Sequence, residues 1–151
     1  MRTALNLPPI DAKIRTGESG KEEIFDPLRK RFVALTPEEW VRQHMIGYLL
    51  GPLSYPASLT MAEASLVYNR KKKRADIVVY RKDGKPGLIV ECKAPHVALT
   101  REVLGQAAMY CRPLQVRFLA ITNGLVQYVL FIDRETGNFG FRDQIPAFEE
   151  L

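Results

Sequence analysis

The dipeptide Asp83-Gly84 sits between two short apolar runs, Asp76-Ile77-Val78-Val79-Tyr80 and Leu88-Ile89-Val90-Glu91-Cys92-Lys93, and restricts the fold more sharply than any other stretch. Asp and Gly tolerate the positive φ of a tight turn, and β-branched residues favour strands, so the stretch predicts a β-hairpin. With the turn centred there, Asp76 lies opposite Glu91 and Arg74 opposite Lys93. Side chains alternate along a strand, so Glu91 and Lys93 share a face while Cys92 points away. Two carboxylates directly opposed on a sheet repel one another, and a cation between them removes the repulsion. Hard oxygen ligands with room for water suit Mg²⁺. The hairpin therefore carries the skeleton of a metal-dependent site for attack on a phosphate ester.

The rest of the chain has to supply a scaffold. Its 151 residues predict a single domain over residues 1–151. The net charge of +5 leans towards a polyanionic partner. Two cysteines, Cys92 and Cys111, have no short-range partner motif and suggest a reducing compartment. The N-terminus lacks the apolar run of a signal peptide, and no stretch approaches the length of a membrane span, so a cytoplasmic protein with no membrane partner is expected. Residues 1–23 read as loosely structured. The fragment Gly17-Glu18-Ser19-Gly20-Lys21 has the wrong spacing for a P-loop and for a nucleophile elbow, which leaves a turn.

Short strands are expected at Ile24–Asp26 and across residues 30–35. Thr36-Pro37-Glu38-Glu39 is a helix start, with Thr36 as cap, Pro37 in the first turn and Glu39 completing a capping box. That helix runs to about Leu50 and is stopped by Gly51-Pro52; its apolar positions place Trp40 in the core. Glu38 and Glu39 serve the cap and the helix dipole, and His44 reads as a surface or satisfied side chain. A strand over residues 61–68 leads into the basic run Arg70-Lys71-Lys72-Lys73-Arg74. That run is either a solvated turn or a phosphate-contacting edge beside the two acids. A helix from Leu99 to Arg112, capped by Thr100, puts Gln106 and Tyr110 one turn apart on one face. A strand over 117–122, an Asn123-Gly124 turn, a strand over 125–132 and a last edge strand over 139–145 follow. The order helix, strands, helix, strands predicts an α/β (α+β) fold, a mixed central sheet flanked by helices.

Asp76 followed by Glu91-Cys92-Lys93 across a hairpin resembles the D-x(n)-E-x-K core of the PD-(D/E)xK nuclease superfamily. More closely, Leu35 to Gln43, Arg74 to Tyr80, Val90 to Pro95 and Leu119 to Gly124 together look like the N-terminal nuclease-type domain of type I restriction enzyme R subunits. Gln106 and Tyr110 are similar to a Q-x-x-x-Y element of one branch of these nucleases. Ala75 stands where the superfamily commonly has Pro, and nothing resembles the P-loop of a helicase motor.

The resemblance implies a restriction-endonuclease-like sheet and a Mg²⁺-dependent endonuclease acting on DNA, with Mn²⁺ as a substitute ion. It implies that Asp76, Glu91 and the Cys92 backbone carbonyl hold the metal. It further implies that Lys93 orients or deprotonates the attacking water, and that Gln106 and Tyr110 position substrate or support Lys93. Arg70, Lys71, Lys72, Lys73 and Arg74 would face the nucleic acid, and other restriction-modification or helicase subunits would be partners. A silent nucleic-acid-binding module and a protein-interaction module that retain the fold stay open as alternatives.

Overall fold

The Asp83-Gly84 turn forms where the sequence puts it, with Gly84 at φ +83°. In the computed structural model, which describes residues 2–151, it joins β5 (Lys71–Tyr80) to β6 (Pro86–Cys92). Ile77 pairs with Val90, Val78 with Ile89 and Val79 with Leu88, the register that brings Asp76 level with Glu91. The paired ladder ends there. Arg74 is not opposite Lys93, because below Ile77 strand β5 stays with β4 (Thr60–Tyr68), while the Lys93 amide donates to the Thr122 carbonyl at 2.8 Å. The two strands of the hairpin therefore part at the acidic pair.

Six strands make the main sheet in the order β4-β5-β6-β7-β8-β9, with β7 at Phe118–Thr122, β8 at Gln127–Ile132 and β9 at Phe139–Arg142. Among the described residues only the β6–β7 pair is parallel, and helix α2 (Arg101–Cys111) makes the crossover that a parallel pair requires. Thr100 caps α2 through the Val103 amide. Helix α1 (Pro37–Leu50) is capped by Thr36, whose hydroxyl accepts from the Glu39 amide at 3.0 Å.

Each helix covers one face of the sheet. Val41, Met45, Ile46 and Leu49 of α1 pack on Ile77, Val79, Leu88, Val90 and Ala120. Leu104, Ala108 and Cys111 of α2 pack on Val78, Ile89, Leu119, Ile121 and Leu130. Alternating strand residues thus feed two separate cores, and this explains the nearly unbroken apolar runs in β6 and β7. No helix among the described residues is long and apolar enough to cross a membrane.

The start of the chain differs from its expected looseness. Ile14–Thr16 forms β1, which pairs with β2 (Glu22–Asp26), and β2 pairs with β3 (Arg31–Ala34) in a second, three-stranded sheet. Leu5 and Leu7 pack against the α1-side core, and the Asn6 amide donates to the Gly124 carbonyl at 2.7 Å. Ile10 lies so close to α1 that a Cβ on Gly47 would come within 2.5 Å of its Cγ2. These contacts join residues far apart in sequence, which local composition does not encode. Four polar residues of α1, Glu39, Arg42, Gln43 and His44, are buried as well; Gln43 lies beside Pro9 and Ile10, Glu39 is held by Arg29, and Arg42 is turned to Asp76 on the sheet. Trp40, expected in the core, is only half-buried, and its indole N–H donates to the Thr3 carbonyl at 3.1 Å. His44 is buried and satisfied, with Nδ1 at 2.9 Å from the Trp40 carbonyl.

Candidate metal centre and nucleic-acid interface

Where β5 leaves β6, a side chain takes over from the backbone. Asp76 Oδ2 accepts the Cys92 amide at 2.8 Å, completing the hydrogen bonding of β6 at the point where the ladder has ended. On the other side of β5, Glu63 lies between the pairs Ala62–Ile77 and Ala64–Ala75, level with Asp76, with its backbone at φ +52°. Residues two apart on a strand normally share a face. Here Ala62 and Ile77 belong to the α1-side core, whereas Ala64 and Ala75 belong to the α2 side. The β4–β5 ribbon therefore rolls over at Glu63 and Asp76 and lies along α2, where Tyr110 Oη donates to the Arg74 carbonyl at 3.0 Å.

Glu38, Arg74, Glu91, Lys93, Gln106 and Tyr110 line one open cleft of about 630 Å³ between the start of α1 and the face of α2. Of the site residues singled out from sequence, the fold thus brings Arg74, Glu91, Lys93, Gln106 and Tyr110 to one cavity. Asp76 is not among the residues that line it. The Cys92 thiol is buried in the α1-side core, and burial, reinforced by the Asp76 charge, pushes it well above its ordinary range. Only the backbone of Cys92 is thus left for the site.

The basic run divides. Asn69 and Arg70 form the hairpin turn with φ of 48° and 62°, so Lys71 to Arg74 are strand residues and not a turn. Arg70, Lys71 and Lys72 are exposed beyond the cleft. Lys73 lies over the Tyr110 ring at 4.6 Å and donates to the Tyr110 carbonyl at 3.3 Å. Arg74 reaches the cleft, its guanidinium paired with Glu63.

Glu91 has the most perturbed environment of the cleft. Burial, then the charge of Asp76 and a hydrogen bond with it, push its carboxyl up to about 8, against a smaller opposing pull from Lys93. Its Oε1 is buried with no hydrogen-bond partner. Glu38 is raised in the same way, by burial first and then by Asp76.

One residue at the centre of this charge cluster is not signalled by any motif. Arg42, on α1, places Nη2 at 2.7 Å from Asp76 Oδ1, 2.7 Å from Glu63 Oε1 and 3.4 Å from Glu38 Oε1. Its Nη1 lies 3.0 Å from Glu39 Oε1, which Arg29 holds at 2.6 Å from the far side. Burial alone would lower the pKa of Arg42, but the Asp76 and Glu39 carboxylates outweigh it and keep the guanidinium charged. The available sequence signal was positional: Arg42 lies four residues from Ile46, in the stripe that faces the sheet, where a cation needs a buried partner.

The donor set can be compared with what a hard divalent ion requires. Among the described residues, no three His, Cys, Asp or Glu side chains gather closely enough to hold a metal by themselves. A site here would combine two carboxylates with backbone and water oxygens, a set that Mg²⁺ accepts because it usually keeps several waters. The unpartnered Oε1 of Glu91 and the strain of holding it beside Asp76 fit such an ion.

A model of the family described as type I restriction enzyme R protein N terminus (HSDR_N) matches residues 37–146, which contain α1, the whole main sheet and α2. No curated protein matches. Among solved structures, a fragment from Vibrio vulnificus YJ016, described as an HsdR subunit of a type I restriction enzyme, is 28% identical over 61% of this chain, with a TM-score of 0.39. The match spans 17% of that relative's chain.

Proposed function

The chain belongs to the type I restriction enzyme R protein N-terminus family, and we propose that it is the nuclease module of such a system, hydrolysing DNA phosphodiesters with a divalent metal. The observation that carries this reading is Glu91: a half-buried carboxyl whose Oε1 is buried with no partner, beside a second acid, in a cleft it shares with Lys93. A carboxyl held in that state is costly unless it has a task that needs it.

Asp76, Glu91 and the Cys92 carbonyl would hold Mg²⁺, or Mn²⁺ in its place. The ion, when bound, supplies Lewis-acid stabilisation of the phosphate and a more acidic water. The protein's own groups do the rest. Lys93, two residues beyond Glu91 on the same face, puts a positive charge where the phosphate gains negative charge, and it can orient the attacking water. Gln106 offers an amide at the cleft rim for the sugar-phosphate backbone. Tyr110 holds the arm: its hydroxyl and carbonyl already bind Arg74 and Lys73, so it fixes the basic strand against α2. Arg74 meets phosphate at the cleft, and Arg70, Lys71 and Lys72 extend the contact along the backbone, supplying affinity without sequence preference. DNA and other restriction-modification components are the partners that follow from this role.

Calorimetric titration of Mn²⁺ into the wild type and Asp76→Asn, run beside a plasmid-nicking assay, tests the proposal. The wild type binds and nicks; Asp76→Asn binds at least about tenfold more weakly and does not nick, as loss of a charged ligand demands. Equal binding and equal nicking by the two proteins would overturn it.

A further inference from the structure

We propose that Arg42 is the resident second cation of this site, so that the cleft takes one divalent ion and not two. The inference rests on the metal-dependent reading above and goes beyond it by fixing the stoichiometry.

A two-metal phosphoryl site needs ions about 3.5–4 Å apart that share a bridging carboxylate. Asp76 is the acid placed to bridge, and its Oδ1 is turned to Arg42, which leaves Oδ2, with the lone pair that the Cys92 amide does not use, for an ion on the Glu91 side. Oδ2 takes the Cys92 amide at 2.8 Å, and Oδ1 takes Arg42 at 2.7 Å. The other acids that could build a second ion site turn to the same guanidinium. Glu63 is at 2.7 Å, Glu39 at 3.0 Å and Glu38 at 3.4 Å.

Arg42 is not free to withdraw. It is 6% exposed, and its Nε–H is buried with no partner, so the side chain is drawn to the carboxylates at the expense of one of its own hydrogen bonds. Behind it, Glu39 is braced by Arg29, and Arg29 is bound in turn to Asp26 at 2.5 Å. An ion entering on the Arg42 side would meet a fixed positive charge at contact distance. On the cleft side, Glu91 Oε1 has no such occupant. The guanidinium thus does the electrostatic work of a second metal, holding Asp76 and Glu63 together in one geometry, while leaving Glu91 as the open half of the site. Lys93 and Arg74 are then the groups left to offset charge on the leaving side of the phosphate.

Counting bound Mn²⁺ by calorimetry and by electron paramagnetic resonance tests this without any reference to turnover. The wild type should saturate at one ion per chain, with the spectrum of an isolated ion. Arg42→Gln should take two, with a spin-coupled spectrum, and should bind the first about tenfold more tightly because a neighbouring positive charge is gone. Two ions in the wild type, or one in a folded Arg42→Gln, would overturn the inference and leave the nuclease reading intact. No binding at all in the wild type would remove both. If Arg42→Gln does not fold, the wild-type count still decides.

Discussion

Glu91→Gln separates the electrostatic cost of the site from its chemistry. In the folded chain the Glu91 carboxyl titrates at about 8, against 4.5 for an ordinary glutamate. Between those pH values the folded protein keeps a proton that the unfolded chain has released, so this group makes stability fall as pH rises. At 1.36 kcal/mol per pH unit the full gap is worth roughly 4–5 kcal/mol above pH 8. Glu91 lines an open cleft, where water screens part of the charge, and a figure of about 2–3 kcal/mol is more realistic. Glutamine keeps the shape and cannot ionise. Urea unfolding should therefore show Glu91→Gln within about 1 kcal/mol of the wild type at pH 5 and about 2–3 kcal/mol more stable at pH 9. Titrating groups remote from the Asp76–Glu91 pair cancel in that difference. Millimolar Mn²⁺ at pH 9 should restore most of the wild type's deficit and leave the variant unchanged, because an ion that binds only the folded state stabilises it. Parallel pH profiles for the two proteins would refute the reasoning.

Four further outcomes follow from named contacts. Lys71→Gln with Lys72→Gln, both exposed, should lower duplex affinity and reduce the slope of log K against log salt by about 1–2 while leaving the urea midpoint unchanged. Gly47→Ala would stabilise an ordinary helix, yet the approach of Ile10 should make it destabilising by about 1–3 kcal/mol in urea. Leu88→Ala, in the fully buried α1-side core, should cost about 2–5 kcal/mol. Burial raises the Asp26 carboxyl, but the Arg29 and Leu28 hydrogen bonds outweigh it and hold it below its ordinary value. The stability it contributes is therefore present above the ordinary aspartate range and lost as pH falls through the lowered value, and Asp26→Asn should flatten that acid limb in a thermal-melt series.

What could be read from the sequence is what short-range chemistry specifies. The Asp83-Gly84 hairpin, its register through Ile77–Val90, and the Thr36 and Thr100 caps all involve residues within a few positions of each other or of a turn. The placement of Glu91 and Lys93 in one cleft follows from strand alternation once the register is known. Pairing of Arg74 with Lys93 failed for a reason the alternation rule cannot contain: β5 rolls over at Asp76, under the control of a left-handed residue, Glu63, on a different strand. Of the small sheet, β2 and β3 were expected from sequence, but β1 was missed, because it is three residues long in a stretch that reads as loose and forms only by pairing with β2.

Arg42 shows most clearly why the site was only half legible. On an amphipathic helix, Glu38, Glu39 and Arg42 read as a solvated face with ordinary helix-spaced ion pairs, each worth a few tenths of a kcal/mol. Packing that side of α1 against β4, β5 and the turn that carries Arg29 turns Glu39 and Arg42 into a buried network, in which removing one partner leaves an uncompensated charge and costs about 3–5 kcal/mol. The small sheet is therefore part of the site's electrostatics, since Asp26 and Arg29 brace Glu39 behind the guanidinium, and the N-terminal segment seats α1 through Leu5, Leu7 and Ile10. Shortening the N-terminal segment should accordingly loosen the guanidinium's hold on Asp76 before it disturbs the main sheet: a chain lacking residues 2–12 should bind Mn²⁺ more tightly, in the direction of Arg42→Gln, while retaining the cooperative unfolding of the two helix-covered cores.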